Sequence, residues 1–204
     1  MVLLVHHSIS PQSRKVRLIM AEKKMLFVLK EEEPWKLSQD ILDINPSGDL
    51  PVLVFDGKVV AGNYAVTEYL EESNPQYKLL PEEPVARAEV RRIMDWFDTK
   101  FFNEVYKYIV AEKIIKQAPN SKILKAGLNN LKFHMEYIDY LADRNNYLAG
   151  KNLTLADLTV AAHLSIIDYL GDIPWNDYKN AKLWYAKIKS RPSFKDILKD
   201  NIRG

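Results

Sequence analysis

The sequence predicts a two-domain protein in which a small α/β domain precedes an all-helical domain. Up to residue 74, short apolar runs alternate with helical patterns. Pro75, Pro81 and Pro84 then punctuate a stretch without periodicity, which indicates a linker. The remaining residues place apolar side chains at helical spacing. We therefore predict domains at residues 1–74 and 84–204, joined by a linker at 75–83.

The first domain is predicted to begin with a strand, a helix and a second strand. Val2–His6 is a short apolar strand. A helix should start at Ser10 and Pro11, because serine is a good N-cap and proline is favoured at the first helical position. It should run to Lys23, and Met25–Leu29 is predicted as the next strand. Two strands joined by a helix are typically parallel.

A short helix, a hairpin and a longer helix complete the first domain. The short helix is predicted over Ser38–Ile44. Asp56-Gly57 is a favoured two-residue turn and should join the strands Pro51–Phe55 and Lys58–Ala61. The longer helix is predicted over Tyr64–Ser73.

Pro51 stands at the junction of a turn and a buried strand. It cannot donate a hydrogen bond to a sheet, so it must open the strand or lie in a special bend. A trans proline is the commoner arrangement. A cis Leu50–Pro51 bond would instead turn the backbone so that Val52 presents its N–H and C=O groups to an extended peptide.

The second domain is predicted to be helical throughout. Its helices are expected over Ala86–Lys116, Leu124–Ala142, Leu155–Leu170, Ala181–Lys189 and Phe194–Lys199. Thr154 and Asp157 form a capping box at the start of the third, with Asp157 reaching back to the N-cap. That helix is apolar on nearly all sides, which predicts a buried central position.

Composition excludes several function classes. The net charge is +2, which gives no general case for binding nucleic acid or a membrane. There is no cysteine, so a protein thiol, a disulfide and a thiolate metal site are excluded. The four histidines lack metal-ligand spacing; His6 and His7 should point to opposite faces of a strand, and His163 should lie in the core. We predict no metal site. Without a signal-peptide pattern or a membrane-spanning run, the cytoplasm is the expected location.

The order of elements and three motifs together resemble the glutathione S-transferase superfamily. The motifs are Asn45–Leu53, Leu148-Ala149-Gly150 and Leu153–Asp157. The resemblance implies a thioredoxin-like first domain, a homodimer, and a cis peptide at Pro51. It also implies that the backbone of Val52 grips the cysteinyl part of glutathione.

A narrower resemblance is to an alphaproteobacterial subgroup of the superfamily that works in cell division. Four stretches carry it: Ser10–Arg17, Glu89–Phe101, Ala162–Trp175 and Lys189–Phe194. This resemblance implies FtsZ as a protein partner and no role that depends on glutathione.

Ser10 is the candidate catalytic residue. A transferase must stabilise the thiolate of glutathione, since a thiol with a pKa near ~8.5 is mostly protonated at neutral pH. The first turn of a helix offers N–H groups and a positive dipole end, and a hydroxyl adds a hydrogen bond to the anion. Ser8 and Ser13 are second choices. The alternative is that Ser10 acts only as an N-cap, through the same oxygen.

Gly62 and Asn63 stand where many relatives carry Glu or Gln followed by Ser, to hold the γ-glutamyl end of glutathione. Asn63 can still cap the helix and offer an amide. However, the carboxylate that would pair with the α-ammonium of the ligand is missing. This departure weakens the prediction of glutathione binding.

Trp35, Tyr106 and Tyr108 are weaker candidates for a pocket that takes a small electrophile. Trp35 also fits a hot spot for a protein partner. Burial statistics favour a third interpretation, a half-buried core tryptophan. Two functions follow from these observations. The first is conjugation of glutathione to a small electrophile, and the alternative is a non-catalytic adaptor that binds FtsZ with a decayed glutathione site.

Overall fold

The computed structural model describes residues 1–33, 35–36, 38–116 and 118–202. They form two compact units. The first comprises Met1–Lys78 together with Pro192–Ile202, and the second comprises Leu79–Arg191. The division after Lys78 falls inside the predicted linker, and the domain limits 1–74 and 84–204 stay a prediction.

A four-stranded mixed sheet forms the centre of the first unit. Its strands are β1 (Val2–His6), β2 (Phe27–Glu31), β3 (Val52–Phe55) and β4 (Lys58–Ala61). Their order across the sheet is β2-β1-β3-β4. β1 and β2 are parallel, as predicted, and the other pairs are antiparallel. The helices of this unit are α1 (Pro11–Glu22), α2 (Gln39–Ile44) and α3 (Asn63–Ser73).

Two turns of this unit match the sequence analysis, and one strand differs from it. The Leu50–Pro51 bond is cis, and Asp56 and Gly57 both have the positive φ that the hairpin turn requires. The second strand lies two residues later than Met25–Leu29, because it pairs along the whole of β1, from Val2 opposite Phe27 to His6 opposite Glu31.

The C-terminal segment Pro192–Ile202 packs in the first unit, where it contacts α1. It forms two 3-10 turns, Pro192–Phe194 and Ile197–Lys199, instead of the single short helix predicted over 194–199. Phe194 and Ile197 are buried. A segment distant in sequence therefore completes the core of the first unit.

The second unit is helical, as predicted. It contains α4 (Pro84–Asp95), α5 (Lys107–Val110), α6 (Ser121–Arg144), α7 (Leu155–Tyr169) and α8 (Lys179–Lys189). Two π-helical segments, Trp96–Tyr106 and Ala111–Ile115, flank α5, so the helix predicted over 86–116 changes its winding along its length. Every residue from Leu155 to Ile167 is buried, which confirms the predicted central helix.

The carboxylate of Asp157, at the start of α7, binds groups before that helix and in α8. Its carboxylate accepts hydrogen bonds from the Thr154 backbone at 2.9 Å, as the capping box predicts, and from the Thr154 hydroxyl at 3.0 Å. It also accepts from the backbone of Leu148 and from the indole of Trp184, both at 2.9 Å. Burial raises the pKa of Asp157, and these four hydrogen bonds oppose the rise.

Candidate functional site

Ser10 lies between β1 and α1 and is the N-cap of α1, as predicted. Its Oγ accepts a hydrogen bond from the backbone N–H of Ser13 at 3.2 Å, and Pro11 follows at the first helical position. The Ser10 hydroxyl donates to Oε1 of Gln12, also at 3.2 Å. The cap uses a lone pair and leaves the O–H able to rotate toward another acceptor.

The two second-choice serines are engaged differently. The Ser13 side chain is buried, and its Oγ accepts from the backbone of His7 at 3.3 Å. The backbone N–H of Ser8 donates to Oε1 of Glu31 at 2.7 Å, and the Ser8 carbonyl accepts from Nε of Arg14 at 2.7 Å. Ser8 is therefore held at both of its backbone groups.

Glu31 joins two histidines at the end of the parallel strand pair. One carboxylate oxygen lies 3.0 Å from Nε2 of His6, and the other lies 2.9 Å from Nδ1 of His7. We expected His6 and His7 to point to opposite faces of a strand, but β1 ends at His6, so His7 lies outside the strand and both rings reach Glu31. The register His6 opposite Glu31 is the signal that could have revealed this cluster.

Burial and charge shift the pKa values of His6 and Glu31 in opposite directions. Burial lowers the pKa of His6 to about 4, and the charge of Glu31 only partly offsets that effect. Burial tends to raise the pKa of Glu31, but the hydrogen bond from the Ser8 backbone and the charge of His6 hold it below its usual range. Near neutral pH, His6 is therefore neutral and Glu31 is ionised.

Trp35 is a surface residue. Trp35 is 59% exposed, so it is not the half-buried core tryptophan that burial statistics favoured. Its ring meets the His7 ring edge-on, with 4.9 Å between centroids. Trp35 thus presents a large apolar surface to solvent beside the Glu31 cluster.

The residues predicted to hold glutathione lie at one end of the sheet. Val52 is buried and pairs in register with Val5 on one side and Ala61 on the other. Because Gly62 follows Ala61 and the loop to Ser10 follows β1, the sheet brings the predicted groups Pro51–Val52, Gly62–Asn63 and Ser10 to the same end.

The start of α3 differs from the expectation for Asn63. Gly62 is the N-cap, with φ of 93°, and no side chain caps the helix. Asn63 is the first helical residue instead of the cap, and the first turn contains no acidic residue. The carboxylate that the sequence lacks is therefore not supplied by the first turn of α3.

The two tyrosine candidates belong to the second unit, whereas Trp35 belongs to the first. Tyr106 is buried and stacks on Phe102 with 4.9 Å between ring centroids. Tyr108 is 40% exposed. Their predicted role in a substrate pocket stays a prediction.

Within the described parts of the chain, no three His, Cys, Asp or Glu side chains are grouped so that they could hold a metal ion. None of the described helices is long and apolar enough to cross a bilayer.

Comparison with known proteins gives consistent matches over nearly the whole chain. Residues 9–73 match the model of the glutathione S-transferase N-terminal domain, and residues 101–201 match that of the C-terminal domain. FtsZ-localized protein A of Caulobacter vibrioides is 41% identical over 98% of this chain and 92% of its own length.

Solved structures agree with these matches. A glutathione S-transferase from Rhodospirillum rubrum F11 is 47% identical, with a TM-score of 0.96 over 99% of this chain and 94% of that one. FzlA from C. crescentus is 40% identical, with a TM-score of 0.96 over 100% of this chain and 94% of that one. With its mixed sheet, its helical unit and these matches, the chain belongs to the glutathione S-transferase family.

Proposed function

We propose that this chain is a non-catalytic adaptor that uses the glutathione S-transferase fold to bind FtsZ in the cytoplasm. The observation that carries the proposal is the start of α3, where Gly62 and Asn63 provide no carboxylate. The name of the Caulobacter relative, FtsZ-localized protein A, supports FtsZ as the partner.

The missing carboxylate weakens glutathione binding because the α-ammonium of the ligand loses a charged partner. A hydrogen bond to a charged group contributes roughly 1.5–3 kcal/mol. Its loss corresponds to about a tenfold to hundredfold lower affinity. Glutathione is the ligand of this family, but a site with this deficit suits a protein that has kept the fold for another use.

Trp35 supports the adaptor function because it offers a partner an exposed aromatic anchor. Tryptophan is enriched among the side chains that dominate protein interfaces. The indole packs against the ring of His7, which binds Glu31, and this contact favours one position of the indole. An anchor held in place before binding loses less entropy when the partner arrives.

Co-sedimentation with polymerised FtsZ and calorimetry with glutathione test this proposal. We expect the protein to pellet with FtsZ and glutathione to give no heat at millimolar concentration. Trp35→Ala should weaken co-sedimentation by about tenfold or more, whereas Tyr64→Ala, at another exposed aromatic of the same unit, should not. Failure of the wild-type protein to co-sediment would contradict the proposal.

A second candidate function is glutathione conjugation with Ser10 stabilising the thiolate, and the geometry of Ser10 favours it. The hydroxyl can leave Gln12 for a thiolate while the cap to Ser13 stays in place. Ser10→Ala should abolish conjugation and cost about 1 kcal/mol of stability through the lost cap. Ser10→Asp, which keeps an N-cap acceptor but has no donor, should abolish conjugation without that cost.

We further propose that the protein is a homodimer, as is common in the family. A partly exposed aromatic cluster supports this: Phe133 is 54% exposed, and the half-buried rings of Trp96 and Tyr137 stack with 4.5 Å between centroids. Sedimentation equilibrium should give twice the chain mass of 23.6 kDa. A mass equal to that of one chain would overturn the dimer.

A further inference from the structure

Asp200, in the C-terminal segment, binds two buried arginines of α1. Its Oδ2 lies 3.1 Å from Nη2 of Arg14 and 2.7 Å from Nη1 of Arg17, and its Oδ1 lies 3.0 Å from Nη2 of Arg17. The arginines are 2% and 5% exposed. Buried charges need partners, and the carboxylate of Asp200 supplies one to both guanidinium groups inside this unit.

The two arginines differ in what else they hold. Arg17 donates to the backbone carbonyl of Asp196 at 3.3 Å, within the same C-terminal segment. Arg14 instead donates from Nε to the carbonyl of Ser8 at 2.7 Å, in the loop between β1 and α1. Arg14 therefore connects the C-terminal segment to this loop.

The connection continues beyond Ser8. The Ser8 N–H is held by Glu31, which also binds His7, and the His7 ring contacts Trp35. The same loop leads into Ser10. The geometry thus links Asp200 to both side chains that the two candidate functions need.

We propose that Asp200 is a positioning residue that, acting through Arg14, fixes the loop His7–Ser10 and with it the Trp35 surface. The C-terminal segment Pro192–Ile202, which we call the clasp, then holds in place the loop that adjoins the proposed binding surface. The effect on FtsZ binding rests on the proposed function, whereas the effect on the loop does not.

The sharpest test compares Arg14→Lys with Arg17→Lys. One lysine ammonium cannot reach both Asp200 and the Ser8 carbonyl as the fork of Arg14 does, whereas Arg17→Lys leaves the bond from Arg14 to Ser8 in place. Amide hydrogen exchange is then followed by NMR at Ser8 and Ser10. We expect exchange about tenfold faster in Arg14→Lys and within about twofold of wild type in Arg17→Lys.

Equally faster exchange in the two variants would indicate a general loss of stability. Unchanged exchange in Arg14→Lys would show that the loop does not need the clasp. Either result overturns the proposal.

A second pair of variants tests the carboxylate of Asp200. Asp200→Asn should accelerate exchange at Ser8, whereas Asp196→Asn, whose side chain binds only Lys199 among the described residues, should not.

Co-sedimentation with FtsZ links the clasp to function. Arg14→Lys should weaken it by about tenfold, and Arg17→Lys should leave it unchanged. If the wild-type protein does not bind FtsZ while the exchange pattern is as expected, the proposed function fails and the clasp stands. If the wild type binds and Arg14→Lys changes neither binding nor exchange, the clasp fails.

Discussion

Asp157 is a buried carboxylate that four hydrogen-bond donors surround. Replacing it with alanine would leave the Leu148 and Thr154 amides and the Trp184 indole without their acceptor. We expect Asp157→Ala to lower the free energy of unfolding by about 3 kcal/mol or more, measured by urea denaturation. Asp143→Ala, at an exposed carboxylate of α6, should change it by less than about 0.5 kcal/mol. Equal losses in the two variants would contradict this role.

His134 gives a prediction about pH. It is fully buried, accepts a hydrogen bond from the indole of Trp96 at 2.8 Å, and burial lowers its pKa to about 4. The unfolded chain binds a proton near pH 6.5 and the folded chain does not, so stability falls as the pH drops from 6.5 toward 4. The loss can reach about 3 kcal/mol for this residue, and His6 has a shift of the same sign.

Urea denaturation at pH 7 and pH 4.5 checks this dependence. His134→Gln keeps an acceptor for the Trp96 indole and removes the titrating group, so its stability should change less between the two pH values. A variant with the same pH dependence as the wild type would show that His134 does not contribute.

Short-range hydrogen bonding explains which residues had a structural role that could be predicted. The cap at Ser10 and the reach of Asp157 back to Thr154 follow from short-range hydrogen-bonding rules, and the structure bears out both. The exposure of Trp35 depends on how chain segments pack together, and burial statistics pointed the other way. The thiolate-stabilising role of Ser10 stays a prediction.

At the scale of elements, α5 and α6 approach each other closely at Gly127. A Cβ there would lie 2.9 Å from Cβ of Tyr108 and 3.1 Å from a side-chain carbon of Ile109. Gly127→Ala should therefore lower the free energy of unfolding by about 1–3 kcal/mol, although alanine is the better helix former. Asn129→Ala, exposed on the same helix, should be neutral or slightly stabilising. Thermal unfolding of both variants is the measurement, and a stabilised Gly127→Ala would contradict the close approach.

The elements were predictable in type and order more than in detail. Apolar residues spaced by four, such as Phe97, Phe101 and Val105, fit an α-helix and a π-helix alike, so the pattern did not reveal the change of winding. The second strand was placed too early because its limits depend on pairing with β1 instead of on its own apolar run.

At the scale of the whole molecule, the C-terminal segment is part of the first unit. Phe194→Ala should cost about 3–5 kcal/mol, since this side chain is fully buried, whereas Leu198→Ala, 53% exposed, should cost less than about 1 kcal/mol. Hydrogen exchange in Phe194→Ala should increase in β1–β4 more than in α7. An increase confined to the second unit would show that the segment stabilises the other unit.

The succession of a small α/β domain and a helical domain followed from the periodicity of the chain, and the family matches agree with it. The position of the last residues did not follow. Arg17 and Asp200 are 183 residues apart, and no local pattern indicates a contact over that distance. For the same reason, no local pattern indicates that Asp200 also binds Arg14, the residue that holds the Ser8 carbonyl.

This arrangement also bears on how the protein is made. Residues 79–191 of the second unit leave the ribosome before the segment 192–202, which completes the core of the first unit. Domains generally fold in the order of synthesis. Here the second unit can reach its native packing while the first still lacks Phe194, Ile197 and the counter-ion of two arginines. The first unit can therefore complete its core only after the second unit and the segment 192–202 have been synthesised.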